Sequence, residues 1–275
     1  MIEQTIDGIS FHLKEAYDFS FLTRWGRVIK VFDGQDSGNI CFGLENASGR
    51  LFVKFAGART VEYDGEVSKA AEMLKRSALI YRELAHGALI RYRFAEDVGG
   101  GFALAFDWTD AVCMGKQYPE SRERFLKMPD ETRLRLFGDI VDFHIHAIKK
   151  GYIAVDFYDG CIMYDFDAGR TLLCDIDYYE KRPFKNNMGR MWGSTRFMSP
   201  EEYILGADID ERTNVFLMGA VAFALFGGEA DRSAAKWRLN GELYDIAIKA
   251  ASPEREKRFA SISEFSKAWN MAFHP

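Results

Sequence analysis

Two aspartates, Asp156 and Asp175, are the residues whose type and spacing most strongly suggest chemistry. Each ends a short apolar, strand-forming run, GYIAVD and TLLCD, and they lie 19 positions apart. That separation allows a hairpin with strands at 161–164 and 171–174 and a turn at 165–169. Such a hairpin would place the two carboxylates side by side. The pair suits phosphoryl transfer, because one carboxylate can hold Mg²⁺ while the other orients the acceptor hydroxyl.

Composition and charge narrow the class of protein. The chain has 275 residues, of which 48% are hydrophobic and 28% charged, as is typical of a globular protein. No run approaches the roughly 20 apolar residues of a membrane span, and the first residues lack the pattern of a secretion signal. We therefore expect a cytoplasmic protein with no membrane partner. The net charge of −5 gives no reason to expect nucleic-acid binding, and the four cysteines lack zinc-site spacing.

The elements that must position these residues divide into two groups, which predicts an α+β fold. The first group is a small, mostly antiparallel lobe with one helix, and the second is a larger, mostly helical lobe around the hairpin. We place the lobes at residues 1–106 and 107–275. The expected strands lie at 26–32, 40–45, 50–57, 89–94 and 102–106, and the expected helices lie at 68–84, 130–149, 212–226 and 264–273.

Three motifs after Asp175 resemble those of one enzyme family. The string GSTRFMSPE at 193–201 resembles the kinase motif Gly-Thr-x-x-Tyr-Met-Ala-Pro-Glu. Residues 209–219 resemble Asp-Val-Trp-Ser-Leu-Gly, with Asn214 in place of the aspartate, and Arg258 resembles the late arginine that pairs with the Glu of Ala-Pro-Glu, here Glu201. The chain thus resembles the eukaryotic-like Ser/Thr protein kinases as a divergent member. The resemblance implies a bilobal kinase-like fold with ATP between the lobes.

The resemblance also implies roles for individual residues. Asp156 would orient the acceptor hydroxyl, Asp175 would hold Mg²⁺, and Lys54, in the strand LFVKFAG, would contact the α- and β-phosphates. A glutamate on the following helix should pair with the lysine. Glu72, 18 positions after Lys54, is the preferred partner, although counting back from Leu-Ala-His-Gly at 84–87 leads to Ser77 instead.

The segments expected to contact the nucleotide match the family motifs less closely. The turn at 33–39 stands where the family has Gly-x-Gly-x-x-Gly, and its Gly34, Ser37 and Gly38 could offer backbone N–H groups to phosphate oxygens, although its two acids would repel ATP. The string Phe-Asp-Trp at 106–108 resembles the gatekeeper and hinge. Main-chain groups of Asp107 and Trp108 would then meet the adenine edge.

The loop at Asp156 departs from the family pattern. Ala-Val-Asp replaces His-Arg-Asp, so the site lacks the arginine that would receive an activation-loop phosphate. Cys161 stands where the family has an asparagine on the second metal, and a thiol is a poor Mg²⁺ ligand. Mn²⁺, which tolerates softer ligands, is a second possible metal, and Asp159 is close enough in sequence to compensate. Asp-Ile-Asp at 175–177 replaces Asp-Phe-Gly.

Three functions fit these features. The first is an ATP- and Mg²⁺-dependent phosphotransferase acting on Ser or Thr hydroxyls of a protein substrate. The second is a pseudokinase that binds nucleotide or a regulatory partner as a scaffold, which the altered glycine loop, Cys161 and Asp177 favour. The third is a small-molecule kinase, which an open acidic cleft would favour.

Overall fold

Residues 1–273, which the computed structural model describes, form a mixed α+β structure with six α-helices and several antiparallel sheets. The chain divides into two units. Unit 1 comprises residues 1–85 and 90–110, and unit 2 comprises residues 86–89 and the chain from 111 onward. No helix within the described part is long and apolar enough to cross a membrane.

Unit 1 is built around a five-stranded antiparallel sheet with one helix. The strands follow the expected runs of β-branched and aromatic residues, and their order in the sheet is β3-β4-β5-β7-β6. A separate hairpin of β1 and β2 precedes them. The elements of unit 1 are β1 (Ile2–Ile6), β2 (Ile9–Leu13), β3 (Arg27–Phe32), β4 (Asn39–Asn46), β5 (Gly49–Ala56), α1 (Val67–Glu83), β6 (Tyr92–Val98) and β7 (Gly101–Asp107).

The position of β6 differs from the expectation of a strand at 89–94. The apolar pair Leu89 and Ile90 is buried but precedes the strand, and Leu89 makes a single bridge to Leu173 within unit 2. The strand itself begins at Tyr92 and continues through Glu96 and Asp97. As an edge strand it pairs on one side with β7 only, so its residues need not be apolar.

Aromatic side chains fill the core of unit 1 on one side of this sheet. Phe19 packs edge-on against Phe11, Phe42 and Phe55, with ring centroids 5.1 to 5.9 Å apart. All four rings are buried. The hairpin of β1 and β2 contributes to the same core through Phe11 and Leu13. The hairpin is therefore an integral part of unit 1.

Unit 2 combines five helices with short paired strands. The predicted hairpin is confirmed as β10 and β11, which pair from Ile162 with Leu173 to Asp165 with Arg170. The elements of unit 2 are β8 (Val112–Cys113), α2 (Pro119–Leu126), α3 (Asp130–Lys149), β9 (Tyr152–Ile153), β10 (Ile162–Asp165), β11 (Arg170–Leu173), β12 (Glu180–Lys181), β13 (Phe184–Lys185), β14 (Asp208–Ile209), α4 (Glu211–Phe226), α5 (Gly241–Ala250) and α6 (Ile262–Phe273).

Helix α4 is the centre of unit 2. The sequence predicts a helix that is apolar on nearly every face, and every residue from Thr213 to Phe226 is buried. A capping box starts it: the Asp210 side chain accepts from the Arg212 N–H at 2.9 Å, and the Thr213 hydroxyl accepts from the Asp210 N–H at 3.3 Å. Helices α3, α5 and α6 pack around it. Because α4 is fixed on all sides, its polar residues can anchor nearby loops.

Candidate functional site

The loop that carries Asp156 is anchored to α4 by Asn214. The side-chain oxygen of Asn214 accepts from the Ala154 N–H at 2.8 Å, and its amide nitrogen donates to the Ala154 carbonyl at 2.9 Å. An aspartate at 214, as in the kinase motif, could accept the first hydrogen bond but could not donate the second. The substitution thus satisfies both backbone groups of Ala154. It fixes the chain two residues before Asp156.

Asp156 and Asp175 share an uncommon backbone conformation. Their φ angles are +57° and +56°, in the left-handed region that few residues other than glycine adopt. Aspartate and asparagine are the side chains that best tolerate this region. Asp156 is half-buried and Asp175 is exposed. Both candidate carboxylates therefore sit at sharp turns, one after β9 and one after β11.

Cys161 joins the two loops within unit 2. Its sulfur lies 3.7 Å from the carbonyl oxygen of Asp156 and 3.7 Å from that of Asp175, so its single S–H is within reach of both acceptors. The side chain is fully buried. Burial, with a contribution from the nearby charge of Asp175, raises the pKa of the Cys161 thiol well above its usual value. Cys161 thus remains a protonated, uncharged group that holds the two loops together.

The two metal ligands expected from the sequence, Asp175 and Cys161, differ in how well they suit Mg²⁺. Asp175 offers a hard carboxylate oxygen of the kind that Mg²⁺ prefers. Cys161 does not fit, because sulfur is a soft ligand that Mg²⁺ disfavours and this sulfur contacts two backbone carbonyl oxygens. Of the two ligands expected from the sequence, only Asp175 thus offers an oxygen of the right kind.

Asp159 has a structural task that the sequence did not indicate. Its fully buried carboxylate accepts from Arg122 at 2.7 Å and from both terminal nitrogens of Arg196 at 2.8 Å each. Both oxygens are engaged by guanidinium groups. The expectation that Asp159 could compensate for Cys161 as a metal ligand is therefore wrong in this arrangement. Glu229 binds the same two arginines, and we call Arg122, Asp159, Arg196 and Glu229 the charge ring.

The predicted pairing of Glu201 with Arg258 is confirmed. The two terminal nitrogens of Arg258 donate to the two carboxylate oxygens of Glu201 at 2.6 and 3.0 Å. The Thr213 hydroxyl donates to the same carboxylate at 2.9 Å. Burial is the largest single effect and opposes ionisation of Glu201, but the hydrogen bonds from Arg258, Thr213 and the backbone and the charge of Arg258 together outweigh it and lower the pKa of the carboxyl. The segment 193–201 is thus tied at its end to the helices of unit 2.

The start of the same segment lies beside Asp156. A Cβ added at Gly193 would lie 3.8 Å from a carboxylate oxygen of Asp156, and the φ of Gly193 is +140°. A small pocket is found here. It is lined by Ala154, Asp156, Phe157, Gly193, Ser194, Phe197, Met198, Glu202, Thr213, Asn214 and Leu217. Glu202 accepts from the N–H and hydroxyl of Ser199, and burial raises its pKa to about 7.

Lys54 lies in the middle of unit 1. It occupies the central strand β5, where its Cα pairs with Cys41 on β4 and with Leu104 on β7, and 9% of it is exposed. A lysine at this depth has an ordered environment, unlike a lysine on a strand edge. Lys54 is therefore a buried residue of the central strand.

Glu72 does not lie on the same face of α1 as the buried residues. It is exposed, whereas Ser77 is buried with Leu74 and Tyr81. The two positions are about 140° apart around the helix. Glu72, the partner of Lys54 preferred from its distance in sequence, is therefore on the exposed face of α1. Ser77, the position reached by counting back from Leu-Ala-His-Gly at 84–87, is on the buried face. Ser77 donates its hydroxyl to the Met73 carbonyl at 3.0 Å.

The turn residues of unit 1 have local structural roles. Gly38 has a φ of +79°, and a Cβ there would lie 2.8 Å from Ala70 and 2.8 Å from Tyr63. Ser37 accepts from the Asn39 side chain at 3.1 Å, and Gly34 is exposed with open space around it. Both the positive φ and the close packing therefore require glycine at position 38.

The main-chain N–H groups of Asp107 and Trp108 are already used within unit 1. The Asp107 N–H donates to the Arg91 carbonyl at 3.0 Å, and the Trp108 N–H donates to the Arg50 carbonyl at 3.2 Å. The indole of Trp108 donates to Asp110 at 2.8 Å. An adenine contact from this pair would therefore have to use their carbonyl oxygens.

Sequence reasoning missed the arginines that hold Asp159 and the buried hydrogen bonds of His144 on α3. His144 is buried, donates from Nδ1 to the Ile140 carbonyl at 2.7 Å and accepts at Nε2 from the Tyr179 hydroxyl at 2.8 Å. Burial lowers its pKa to about 4, so it stays neutral. Its apolar neighbours along α3 were the available signal for packing.

Neither protein-family models nor curated protein sequences give a match to the chain. The function is therefore argued from the residues and contacts of the chain itself.

Proposed function

We propose that the chain is a protein kinase-like phosphotransferase that moves the γ-phosphate of ATP to a Ser or Thr hydroxyl of a protein. In this proposal unit 1 is the small lobe and unit 2 the large lobe of a bilobal kinase-like fold. The observation that carries it is the position of the Cys161 thiol, 3.7 Å from the carbonyl oxygens of both Asp156 and Asp175. One buried side chain thus joins the two loops whose carboxylates the chemistry needs.

Further support comes from the anchoring of the loops in unit 2. Asn214 fixes Ala154 beside Asp156, and Arg258 fixes Glu201 at the end of the segment 193–201. These contacts hold the Asp156 loop and the neighbouring segment on a rigid helical framework. Positioning accounts for most of the rate enhancement in phosphoryl transfer, because little covalent chemistry is left to the protein.

Each residue has a defined task in this proposal. Asp156 accepts a hydrogen bond from the acceptor hydroxyl and orients its oxygen toward the phosphorus. Lys54 donates to phosphate oxygens, and Asp175 holds Mg²⁺. When bound, Mg²⁺ neutralises part of the negative charge that develops on the phosphoryl oxygens. The protein substrate delivers the hydroxyl.

A pseudokinase is the second candidate, and the state of Cys161 favours it. The second metal position of the kinase motif is here a protonated thiol engaged with two carbonyls. A chain with one metal-binding carboxylate could retain nucleotide or partner binding while transfer is slow or lost. The two candidates make the same prediction for nucleotide binding and opposite ones for transfer.

Calorimetric titration with Mg·ATP, followed by a γ-phosphate transfer assay on the same preparation, tests both candidates. We expect Lys54→Met and Asp175→Asn to weaken Mg·ATP binding at least about tenfold each, the effect of losing about 1.4 kcal/mol of charge interaction. Lys30→Met is the matched control and should bind as the parent does, because this lysine lies exposed on strand β3 of the same sheet, which β4 separates from the Lys54 strand β5.

The transfer assay then separates the candidates. Transfer by the parent that Asp156→Asn abolishes, with Mg·ATP affinity retained, supports the phosphotransferase. Binding without transfer to a generic protein, to the chain itself or to water, with Mg²⁺ or Mn²⁺, supports the pseudokinase. Equal Mg·ATP affinity in the parent, Lys54→Met and Asp175→Asn would contradict the nucleotide site in both.

A further inference from the structure

The charge ring connects the segment 193–201 to the loop of Asp156. Arg196, in the middle of this segment, donates through both terminal nitrogens to the two oxygens of Asp159 at 2.8 Å each. Asp159 follows Asp156 by three residues and has no exposed surface. A two-bond fork between guanidinium and carboxylate fixes distance and orientation together. The segment is thus bound to the Asp156 loop by the chain's own charges.

Two further residues close the ring. Arg122, on α2, donates to Asp159 at 2.7 Å and to the Met114 carbonyl at 2.9 Å, and it also pairs with Glu229. Glu229, which follows α4, also accepts from Arg196 at 3.2 Å and from Lys116 at 2.9 Å. Each carboxylate therefore contacts both guanidinium groups.

The burial of the ring determines how strongly it acts. The side chains of Arg122 and Arg196 are 11% and 18% exposed, so solvent screens these pairs much less than a surface ion pair. A buried charge that loses its partner cannot be rescued by water at low cost. Removing one member therefore leaves a buried charge with fewer partners, which destabilises the contacts of the other three. The ring thus holds together the four chain segments that contribute its residues.

Phosphorylation commonly orders a loop by giving a nearby arginine a phosphate to bind. Here the residue before Asp156, where the kinase motif has a phosphate-binding arginine, is Val155, which is buried and apolar. The arginine of the segment itself, Arg196, is already bound by the carboxylates of Asp159 and Glu229. We propose that Arg196 and Arg122 are positioning residues, and that the charge ring holds the segment 193–201 against the Asp156 loop in the unmodified chain. The segment then needs no phosphate on Ser194 or Thr195 to be ordered. The consequence for catalysis rests on the proposed function, but the ordering of the segment does not.

Amide hydrogen exchange of the full-length, unphosphorylated chain tests the ordering directly. The Phe197 N–H, next to Arg196, donates to the Ser194 carbonyl at 2.9 Å and reports on the segment. Amides in the middle of α4 report on global unfolding. We expect Asp159→Asn and Arg196→Gln to speed exchange at Phe197 about tenfold or more, as for coupled residues in one charge network, and to change α4 less.

Two further variants sharpen the test. Arg196→Lys keeps the charge but loses the two-bond fork, so exchange at Phe197 should lie between that of the parent and that of Arg196→Gln. Lys185→Ala breaks an exposed ion pair with Asp208 between the paired strands β13 and β14, and it should leave Phe197 unchanged because an exposed pair contributes little. Equal changes at Phe197 and in α4, or no change at Phe197, would overturn the proposal. Protection of Phe197 that appears only after phosphorylation of Ser194 or Thr195 would overturn it as well.

Kinetics distinguish this inference from the proposed function. If the parent transfers phosphate, Arg196→Gln should lower kcat about tenfold or more with nearly unchanged affinity for Mg·ATP, because a positioning residue acts on geometry rather than on nucleotide binding. An unchanged kcat would refute the positioning role and leave the phosphotransferase intact. If the parent transfers nothing, the exchange result still decides whether the ring orders the segment.

Discussion

Removal of the Arg258 side chain should destabilise the fold because it leaves the buried carboxylate of Glu201 without its cationic partner. Arg258 is fully buried and donates to both oxygens of Glu201 and to the carbonyls of Ser252 and Arg212. Arg258→Ala would leave the Glu201 charge buried with the Thr213 hydroxyl. Breaking a buried pair from one side costs about 3 to 5 kcal/mol. At about 2 to 4 °C per kcal/mol for a chain of this size, we expect Tm to fall by about 6 to 20 °C.

The loss of stability in Arg258→Ala should depend on pH in a defined direction. In the parent the pKa of Glu201 is lowered despite its burial, so the stability from its ionised form is present above the ordinary carboxyl pKa and is lost as pH falls through the lowered value. In Arg258→Ala the burial remains and the guanidinium is gone, so Glu201 takes up a proton at a higher pH. The difference in Tm between parent and variant should therefore be largest at neutral and alkaline pH and shrink on acidification.

Thermal unfolding followed by circular dichroism over a range of pH checks both expectations. Lys257→Ala is the matched control, because this neighbouring lysine pairs with Glu254 on the surface, where an ion pair contributes about 1 kcal/mol or less. Arg258→Ala combined with Glu201→Gln should recover part of the lost stability, since the orphaned charge is removed. A Tm within about 2 °C of the parent at pH 7.5 for Arg258→Ala would refute the argument from the buried charge.

Three other substitutions test neighbouring contacts. Cys161→Asn supplies a hard oxygen in place of the thiol, so Mg²⁺-dependent ATP affinity should rise in calorimetry; an affinity no higher than that of the parent would mean that this position does not reach the metal. Glu202→Gln should flatten the loss of stability between pH 4.5 and about 7, because the raised pKa makes the folded chain keep a proton that the unfolded chain releases. Equal slopes of unfolding free energy against pH for parent and variant would contradict that role. Asn214→Asp loses the donor to the Ala154 carbonyl and should cost about 1 to 3 kcal/mol in denaturant unfolding; a neutral result would mean that the Ala154 contact is dispensable.

Elements with strong periodicity or strong turn residues were predictable from the sequence. Helix α4 is apolar on all faces because it is buried on all sides, and the hairpin at 162–173 has its turn where Asp165 accepts from the N–H groups of Asp167 and Ala168. In both cases the local sequence carries the physical requirement. The pairing of Glu201 with Arg258, 57 positions apart, was predicted instead from the resemblance to the kinase motifs.

The first hairpin was missed although its signal is present. Asp7 and Gly8 join β1 and β2, and both have positive φ angles, +50° and +84°, as a tight two-residue turn requires. Asp-Gly between alternating apolar residues is the strongest short-range hairpin signal.

The charge ring could not be predicted from the sequence. Arg122 and Glu229 are 107 positions apart, and each of the four residues by itself resembles an ordinary surface charge. Only the fold shows that Asp159 has no exposed surface. The partner of Lys54 was uncertain for a related reason: counting positions along α1 gave two answers, and only the buried face of the helix separates Glu72 from Ser77.

The positive φ angles of Asp156 and Asp175 restrict which residues can replace them. Alanine at either position would delete the carboxylate and also add a left-handed backbone penalty of about 1 kcal/mol or more, so a defect in that variant has two causes. Asparagine changes the charge and keeps the backbone preference, while glycine removes the side chain and eases the turn. Among descendants of this sequence, asparagine or glycine at 156 or 175 would therefore mark a chain that has given up the carboxylate but kept the loop. A β-branched residue there would mark a loop that has been rebuilt.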